Sequence, residues 1–406
     1  MSGRRRLGMW AVVLAAGGVV ALPAAATAAP AWETASGSQH TLADPDTAQA
    51  WGFNGGGQLG NGTIANSSIP VPVTGATGLT GLRAIAAGGG GGYALRRDGT
   101  VWAWGLNNVG QLGNGTTTDS VVPVRVAGLT HVRAIAAGGG GGYALRRDGT
   151  VWAWGLNGVG QLGNNTTTDS VVPVRVTGLT DVRAIAAGSF SGYALRRDGT
   201  VWAWGLNGDG RLGNGTTTTS LLPVLVPGLT DVRAIAVGDG GGYALRWDGT
   251  VWAWGRNNVG QLGNGTTTSL VPVPVPGLTD VRAIAAGASS GYALRWDGTV
   301  WAWGRNNVGQ LGNGTTTTSL VPVPVSGTTG LIGATAIAGG GGGGYALRWD
   351  GTVWAWGLNN VGQLGNGTTT DSVVPVPVSG ITSATAIAGG TLAGYAIVSD
   401  WDWDWE

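Results

Sequence analysis

The sequence predicts an all-β fold, a seven-bladed β-propeller with four strands per blade and a closing blade shared between its N- and C-terminal ends. A motif that reads WG-x-N-x-x-G-[QR]-L-G recurs seven times, and a Gly-Tyr-Ala element recurs as often. Their spacing of about fifty residues is typical of four-stranded blades. The tryptophans of the motif and the tyrosines of the element are Trp51, Trp104, Trp154, Trp204, Trp254, Trp303 and Trp356, and Tyr93, Tyr143, Tyr193, Tyr243, Tyr292, Tyr345 and Tyr395.

The repeated unit contains a β-hairpin. In residues 92–118, GYALRRDGTVWAWGLNNVGQLGNGTTT, the dipeptide Asp98-Gly99 separates two apolar runs. Asp-Gly in this position favours a type I′ turn, which needs positive φ at both central residues. We therefore assign Asp98 and Gly99 a structural role in the turn.

Each repeat contains four strand-like runs, which in the first complete copy are 82–87, 93–97, 100–104 and 121–126. Six blades then begin near residues 82, 132, 182, 232, 281 and 334. A seventh would combine the C-terminal runs 384–388 and 395–399 with the N-terminal runs 48–51 and 69–73. A sheet shared in this way closes the ring and leaves no open edge.

Side-chain size predicts the order of strands within a blade. The small residues of the first run suit the strand nearest the axis, and the proline-bearing fourth run suits the outer edge, because proline cannot donate to a central ladder. Residues two apart share one face of a strand, so the paired tryptophans of the third run should stack between blades. We assign these rings a structural role rather than a role as sugar platforms; in the first two blades they are Trp102, Trp104, Trp152 and Trp154.

The two ends of the chain differ from the repeats. Residues 1–28 have three early arginines, an apolar run over 7–22 and the small-residue pattern Ala26-Thr27-Ala28, which together indicate a cleaved secretory signal rather than a membrane anchor. The arginines leave both the general and the twin-arginine export routes open. Residues 29–47 are expected to form a flexible lead-in.

The segment 400–406 alternates acidic residues with tryptophan. It could add an outer strand, compete with 48–51 for the closing blade, or hang free as an acidic, aromatic peptide. We favour a loose terminal segment, because chain ends are commonly poorly ordered.

The tandem pattern ALR-x-DG-T-V-W-A-W-G-x-N-x-x-G-Q-L-G-N-G resembles the regulator of chromosome condensation repeat family over residues 48–399. The resemblance implies a seven-bladed propeller whose ends share a blade, and by analogy guanine-nucleotide exchange. Family repeats carry a histidine two residues before the repeated tyrosine, and this chain has none there. The positions are Gly91, Gly141, Ser191, Gly241, Ser290, Gly343 and Ala393.

The VWAWG and AIAAG strands are also similar to those of secreted propeller-type β-lactamase inhibitor proteins. That resemblance implies an enzyme-binding face built from loop aromatics and acids. Here the corresponding loops after Gly88, Gly138 and Gly340 are runs of glycine. The few side chains that other copies add include Phe190, Asp239 and Leu392.

Three further tryptophans stand at predicted hairpin tips. Trp247, Trp296 and Trp349 occupy the position that Arg97, Arg147 and Arg197 hold in earlier repeats. They could form an exposed aromatic arc that binds a ligand, or each could lie flat along its own hairpin.

The composition argues against several classes of function. The chain has a formal net charge of +1, no cysteine and only two histidines, so it lacks the residues for a metal cluster or a Cys- or His-based nucleophile. A near-neutral charge is atypical of nucleic-acid or membrane binders. We predict a secreted, non-enzymatic, monomeric scaffold without a cofactor, which binds a secreted or cell-surface protein and could inhibit an enzyme. The alternative is binding of a glycan or cell wall by Trp247, Trp296 and Trp349.

Overall fold

The computed structural model describes residues 46–74, 79–326 and 331–399. Over these ranges it is all-β, with seven antiparallel four-stranded sheets and no helix long and apolar enough to cross a membrane. The predicted signal, most of the predicted lead-in and the 400–406 segment lie outside the described residues.

Six blades are continuous in sequence, and their first strands begin at the six positions that the repeat spacing predicts. The strands are β3 (Leu82–Ala87), β4 (Gly91–Arg96), β5 (Val101–Gly105) and β6 (Ser120–Arg125) in blade 1; β7 (Val132–Ala137), β8 (Gly141–Arg146), β9 (Val151–Gly155) and β10 (Ser170–Arg175) in blade 2; β11 (Val182–Ala187), β12 (Ser191–Arg196), β13 (Val201–Gly205) and β14 (Ser220–Val226) in blade 3; β15 (Val232–Val237), β16 (Gly241–Arg246), β17 (Val251–Gly255) and β18 (Ser269–Pro274) in blade 4; β19 (Val281–Ala286), β20 (Ser290–Arg295), β21 (Val300–Gly304) and β22 (Ser319–Pro324) in blade 5; and β23 (Ala334–Gly339), β24 (Gly343–Arg348), β25 (Val353–Gly357) and β26 (Ser372–Pro377) in blade 6.

The closing blade is shared between the two ends, as predicted. Its strands are β1 (Thr47–Gly52), β2 (Ser67–Pro72), β27 (Ala384–Gly389) and β28 (Ala393–Val398), in the order β2-β1-β28-β27. Strands β1 and β28 pair antiparallel along their whole length, from Thr47 opposite Val398 to Gly52 opposite Ala393. Thr47, which the sequence places in the flexible lead-in, is therefore part of a strand.

The hairpin turn differs from the predicted type I′. Gly99 has a φ of +82°, but Asp98 is not in the positive-φ region. The Gly99 N–H donates to the Arg96 carbonyl at 3.0 Å, and the Arg96 N–H donates to the Thr100 carbonyl at 2.9 Å. This is a three-residue loop, a type I turn followed by a left-handed glycine. Asp98 favours it, because its Oδ1 accepts hydrogen bonds from both the N–H and the hydroxyl of Thr100.

The paired tryptophans of each third strand are not equally buried. Trp104 and Trp154 are buried, whereas Trp102 and Trp152 are half-buried. The two members of a pair share a face, but the first lies one pleat nearer the hairpin turn. The expectation that both rings are buried between blades therefore holds for the second ring only.

A repeated hydrogen-bonded clasp joins each blade to the next. The Gln111 carbonyl of blade 1 accepts bonds from the Tyr93 hydroxyl at 2.7 Å and from the Trp154 indole N–H of blade 2 at 2.8 Å. The Tyr93 and Trp154 rings meet edge to face with centroids 5.9 Å apart, a favourable aromatic geometry. The seven accepting carbonyls belong to Gln58, Gln111, Gln161, Arg211, Gln261, Gln310 and Gln363.

Candidate functional site

The antiparallel order of strands gives the propeller two different faces. One carries the turns between first and second strands and the long loops between third and fourth strands, and we call it the loop face. The other carries the Asp-Gly hairpin turns and the connections between blades, and we call it the hairpin face. The candidate binding residues are divided between the two.

The loop face offers little to a ligand. The mouth of the central axis is an opening of about 50 Å³ lined mainly by glycine and alanine, including Gly88, Gly138 and Gly340. Ligand pockets are commonly about 300–1,000 Å³. Glycine is also required here, because a Cβ on Gly88 would lie 2.3 Å from the Gly138 carbonyl oxygen of the next blade.

Three predicted candidates lie on this loop face, in blade 3, blade 4 and the closing blade. Phe190 is 42% exposed in blade 3, and Asp239 of blade 4 accepts a hydrogen bond from the Ser189 hydroxyl. Leu392 is half-buried in the closing blade, where its carbonyl accepts the Phe53 N–H at 2.9 Å.

The three hairpin-tip tryptophans lie on the opposite face and are exposed. The exposed fractions are 65% for Trp247, 55% for Trp296 and 74% for Trp349. The first two do not stand alone on their own hairpins, because each contacts arginines of two successive blades.

Arginines of the innermost strands flank two of these rings. The guanidinium carbons of Arg183 and Arg233 lie 5.9 and 5.8 Å from the centroid of Trp247. Those of Arg233 and Arg282 lie 5.9 Å from the centroid of Trp296. Guanidinium groups at this distance from an indole make cation–π contacts. The result is an alternating Arg–Trp ladder across blades 3 to 5.

The ladder arginines belong to a larger set that the sequence reasoning missed. An arginine is the second residue of the innermost strand in five blades, and threonine replaces it in blade 6 and in the closing blade. The signal was present as the repeated Arg-Ala-Ile-Ala. These residues are Arg83, Arg133, Arg183, Arg233, Arg282, Thr335 and Thr385.

Backbone carbonyls of the next blade, not carboxylates, accept hydrogen bonds from four of these arginines, Arg133, Arg183, Arg233 and Arg282. Nη2 of Arg133 donates to the Val182 carbonyl of the next blade at 2.8 Å, and Nη2 of Arg233 donates to the Val281 carbonyl at 2.7 Å. Over the described ranges none of the inner-strand arginines forms an ion pair. The four ion pairs found there join Arg97 to Asp46, Arg196 to Asp198, Arg211 to Asp209 and Arg348 to Asp350.

The electrostatics reflect this lack of carboxylate partners. Burial, followed by the charges of Arg197 and Arg83, lowers the pKa of Arg133. Burial also lowers the pKa of Arg183, Arg233 and Arg282. An arginine stays charged despite such a shift, so the hairpin face carries a concentrated positive charge in a chain of near-neutral total charge.

The aspartates of the hairpin turns accept hydrogen bonds from residues of the same turns. The hydroxyl and then the N–H of Thr150 hold the pKa of Asp148 below its usual value, against a smaller effect of burial. Within the part of the chain that the structure describes, no group of three or more His, Cys, Asp or Glu residues could hold a metal ion.

Known proteins share this architecture. The crystal structure of Prp20p from Saccharomyces cerevisiae, a protein described by its binding properties to Gsp1p and histones, superposes with a TM-score of 0.78 at 22% identity, covering 88% of this chain and 93% of that one. At this identity the likeness concerns the fold alone.

Curated relatives match over shorter stretches. The ultraviolet-B receptor UVR8 of Arabidopsis thaliana is 34% identical over 93 residues, 22% of this chain and 21% of the receptor. The human probable E3 ubiquitin-protein ligase HERC3 is 37% identical over 97 residues, 23% of this chain and 9% of the ligase. The chain thus spans about a fifth or less of the length of these relatives.

Family models match most of the chain. The RCC1-like domain matches residues 14–343, and the regulator of chromosome condensation (RCC1) repeat matches residues 350–393. Together with the seven four-stranded blades, these matches show that the chain belongs to the RCC1-like propeller family.

Proposed function

We propose that this chain is a secreted, non-enzymatic scaffold that binds another protein through its hairpin face. The observation that carries the proposal is the Arg–Trp ladder, since Trp and Arg are enriched among the residues that dominate binding energy at protein interfaces. The tryptophans of the ladder are exposed, and its half-buried arginines lack carboxylate partners in the described residues.

The chemistry of the face indicates the kind of partner. Positive charge interleaved with indole rings is complementary to a surface that carries carboxylates and apolar or aromatic groups. Prp20p, which has the same fold, is described by its binding to proteins. For this chain, a secreted or cell-surface protein is the proposed partner, and inhibition of a secreted enzyme such as a β-lactamase is one form that binding could take.

The test is a pull-down from the producing culture with the mature chain, followed by a panel of secreted enzymes. We expect replacement of Trp247, Trp296 and Trp349 together by Ala to abolish binding, and the loop-face control Phe190→Ala to bind as the parent does. Retained binding by a folded triple variant would remove the hairpin face from consideration.

Glycan or cell-wall binding is the second candidate, because exposed indoles can also stack on sugar rings. It predicts glycan-array signals that the triple tryptophan variant loses and that salt leaves nearly unchanged. A silent array contradicts it. Guanine-nucleotide exchange rests on family analogy alone, and fold does not determine function.

Export is part of the proposal and is supported by the residues of the 1–28 segment. Expression of the whole chain in a bacterium should release protein whose first residue is Ala29, following cleavage after Ala28. Uncleaved protein retained in the cells would be the opposite result.

A further inference from the structure

One half of the hairpin face has arginines where the other half has tryptophans. Blades 4 to 6 carry Trp at the hairpin tip, whereas Arg147 and Arg197 hold this position in blades 2 and 3. Together with three inner-strand arginines they form what we call the arginine cluster. Its members are Arg83, Arg133, Arg147, Arg183 and Arg197.

The positive charges of the arginine cluster are not paired with carboxylates in the part of the chain that the structure describes. None of its members makes an ion pair with a described residue. After the larger effect of burial, the positive charges of Arg197 and Arg83 both lower the pKa of Arg133. Buried Nε atoms of Arg133 and Arg183 have no hydrogen-bond partner over the described ranges. Blade 2 also lacks one carboxylate, because His131 stands there at the position that Asp181 holds in blade 3 and that Asp231 and Asp280 hold in blades 4 and 5.

We propose that residues 400–406 of this same chain bind the arginine cluster. The segment reads Asp-Trp-Asp-Trp-Asp-Trp-Glu, so it brings four carboxylates and three indoles. The carboxylates would pair with the guanidinium groups. The indoles would contact the arginines of blades 1 to 3, as Trp247 and Trp296 contact the arginines of the ladder.

The chain reaches this segment on the correct face. Ser399 occupies the hairpin-tip position of the closing blade, because its N–H donates to the Ser383 carbonyl at 3.1 Å. The equivalent bonds run from Trp247 to Asp231 and from Trp296 to Asp280, both at 3.0 Å. Residue 400 therefore follows directly from the hairpin face.

The distances are compatible with binding in cis. The closing blade contacts β3, the strand that carries Arg83, and β3 contacts β7, which carries Arg133. Packed sheets lie about 10 Å apart, so two blade steps amount to roughly 20 Å. Seven extended residues span about 23–25 Å, enough to pass Arg83 and Arg133 and approach Arg183.

The inference goes beyond the proposed function, because it needs no external partner. The test uses a fluorescently labelled peptide with the sequence of residues 399–406 and two proteins, the whole chain and a chain ending at Ser399. We expect the peptide to bind the shortened chain, to bind at least tenfold more weakly to the whole chain, and to weaken further as salt is raised.

Two sets of variants locate the site. Arg147→Gln with Arg197→Gln should weaken peptide binding to the shortened chain at least tenfold, whereas Arg125→Gln with Arg175→Gln, the same charge change at exposed ends of outer strands, should not. A peptide with Asn and Gln in place of its acids should bind at least tenfold more weakly, and this change cannot affect the fold of the propeller.

The proposal is overturned if the shortened chain does not bind the peptide, or if both proteins bind it equally. It is also overturned if light scattering shows that the whole chain forms an oligomer that the shortened chain does not, since the segment would then bind a second copy. None of these results bears on whether a foreign protein uses the same face.

Discussion

At the scale of single residues, one buried asparagine organises each long loop. Asn157 has no exposed surface, and its Nδ2 donates to the carbonyls of Thr166 and Thr168, both at 3.0 Å. Its Oδ1 accepts the Leu162 N–H at 2.9 Å. The amide thus uses donor and acceptor together, which an aspartate at the same position cannot do.

We therefore expect Asn157→Asp to lower the free energy of unfolding by about 2–4 kcal/mol, because each buried polar group left unpaired costs about 1–3 kcal/mol. Chemical denaturation measures the change. Asn164→Asp is the matched control, since the Asn164 Oδ1 accepts from the N–H and the hydroxyl of Thr166 as a carboxylate would. Equal effects of the two substitutions would contradict this account of the loop.

Glycine before the repeated tyrosine makes room for the buried indole. A Cβ on Gly192 would lie 2.4 Å from Cζ2 and 2.5 Å from Cε2 of Trp204. Gly192→Ala should destabilise the protein by about 1–3 kcal/mol, the usual effect of overpacking. Gly208→Ala is the control, because nothing lies within 4 Å of its Cβ position. A neutral Gly192→Ala, measured by the same denaturation, would show that the ring can move.

The residue scale also shows where sequence reasoning stops. The repeat indicates that Asn157 and Gly192 recur. It does not indicate that the hydrogen bonds of Asn157 stay within its own loop, or that Gly192 packs against the indole of Trp204. The Arg–Trp ladder is less predictable still, because each tryptophan contacts one arginine of its own blade, 14 positions away, and one of the preceding blade, more than 60 positions away. Exposure of Trp247 could be predicted from its place beside an Asp-Gly turn; its two arginine neighbours could not.

At the scale of strands, the two tryptophans of β13 differ in their burial and in their hydrogen bonds. The Trp204 indole N–H donates to the Gln161 carbonyl of the preceding blade at 2.8 Å, and its ring is fully buried. Trp202 is half-buried and donates only to the Thr200 hydroxyl at 3.2 Å. Alternation predicted their shared face correctly, but not that the strand end near the turn leaves one ring partly uncovered.

Trp204→Phe should consequently lower the free energy of unfolding several times as much as Trp202→Phe does. We expect about 2–4 kcal/mol for the first, through a lost buried hydrogen bond and a cavity, and under about 1 kcal/mol for the second. A double-mutant cycle of Trp204→Phe with Tyr143→Phe should show coupling, since the Tyr143 hydroxyl donates to the same carbonyl at 2.7 Å. Additive effects would indicate that the clasp is not a unit.

At the scale of the whole molecule, all tyrosines of the chain serve in the clasps. The chain has seven tyrosines, and the hydroxyl of each donates to a carbonyl of the clasp. Burial raises the pKa of every one of them, for Tyr193 to about 12.

This arrangement predicts cooperative alkaline unfolding. A raised folded-state pKa contributes stability that is fully present below the unfolded pKa of about 10 and is lost as pH rises through the folded values. With seven groups, the free energy of unfolding falls by up to roughly 9 kcal/mol per pH unit in that window. Tyrosinate absorbance and circular dichroism should change together, above pH about 10. Tyrosines that titrate near 10 in a folded chain would refute the prediction.

Ring closure depends on the same clasp and leads to the last prediction. The Gln58 carbonyl, from the N-terminal half of the closing blade, accepts the Tyr395 hydroxyl at 2.7 Å and the Trp104 indole N–H at 2.8 Å. A chain that starts at Leu79 loses this acceptor, the buried Trp51 and β1, one of the two strands that pair with β28. We expect it to lose its cooperative unfolding transition, because a propeller missing half a blade exposes a sheet edge and two unpaired buried donors.

A chain that starts at Asp46 is the matched control and should unfold at the midpoint of the whole chain, since it keeps every described contact. A peptide of residues 46–74 added to the chain from Leu79 should restore the transition by completing the sheet as added strands. Unfolding of the chain from Leu79 at the control's midpoint would mean that six blades and half a sheet suffice. Closure by the two chain ends would then contribute nothing measurable to stability.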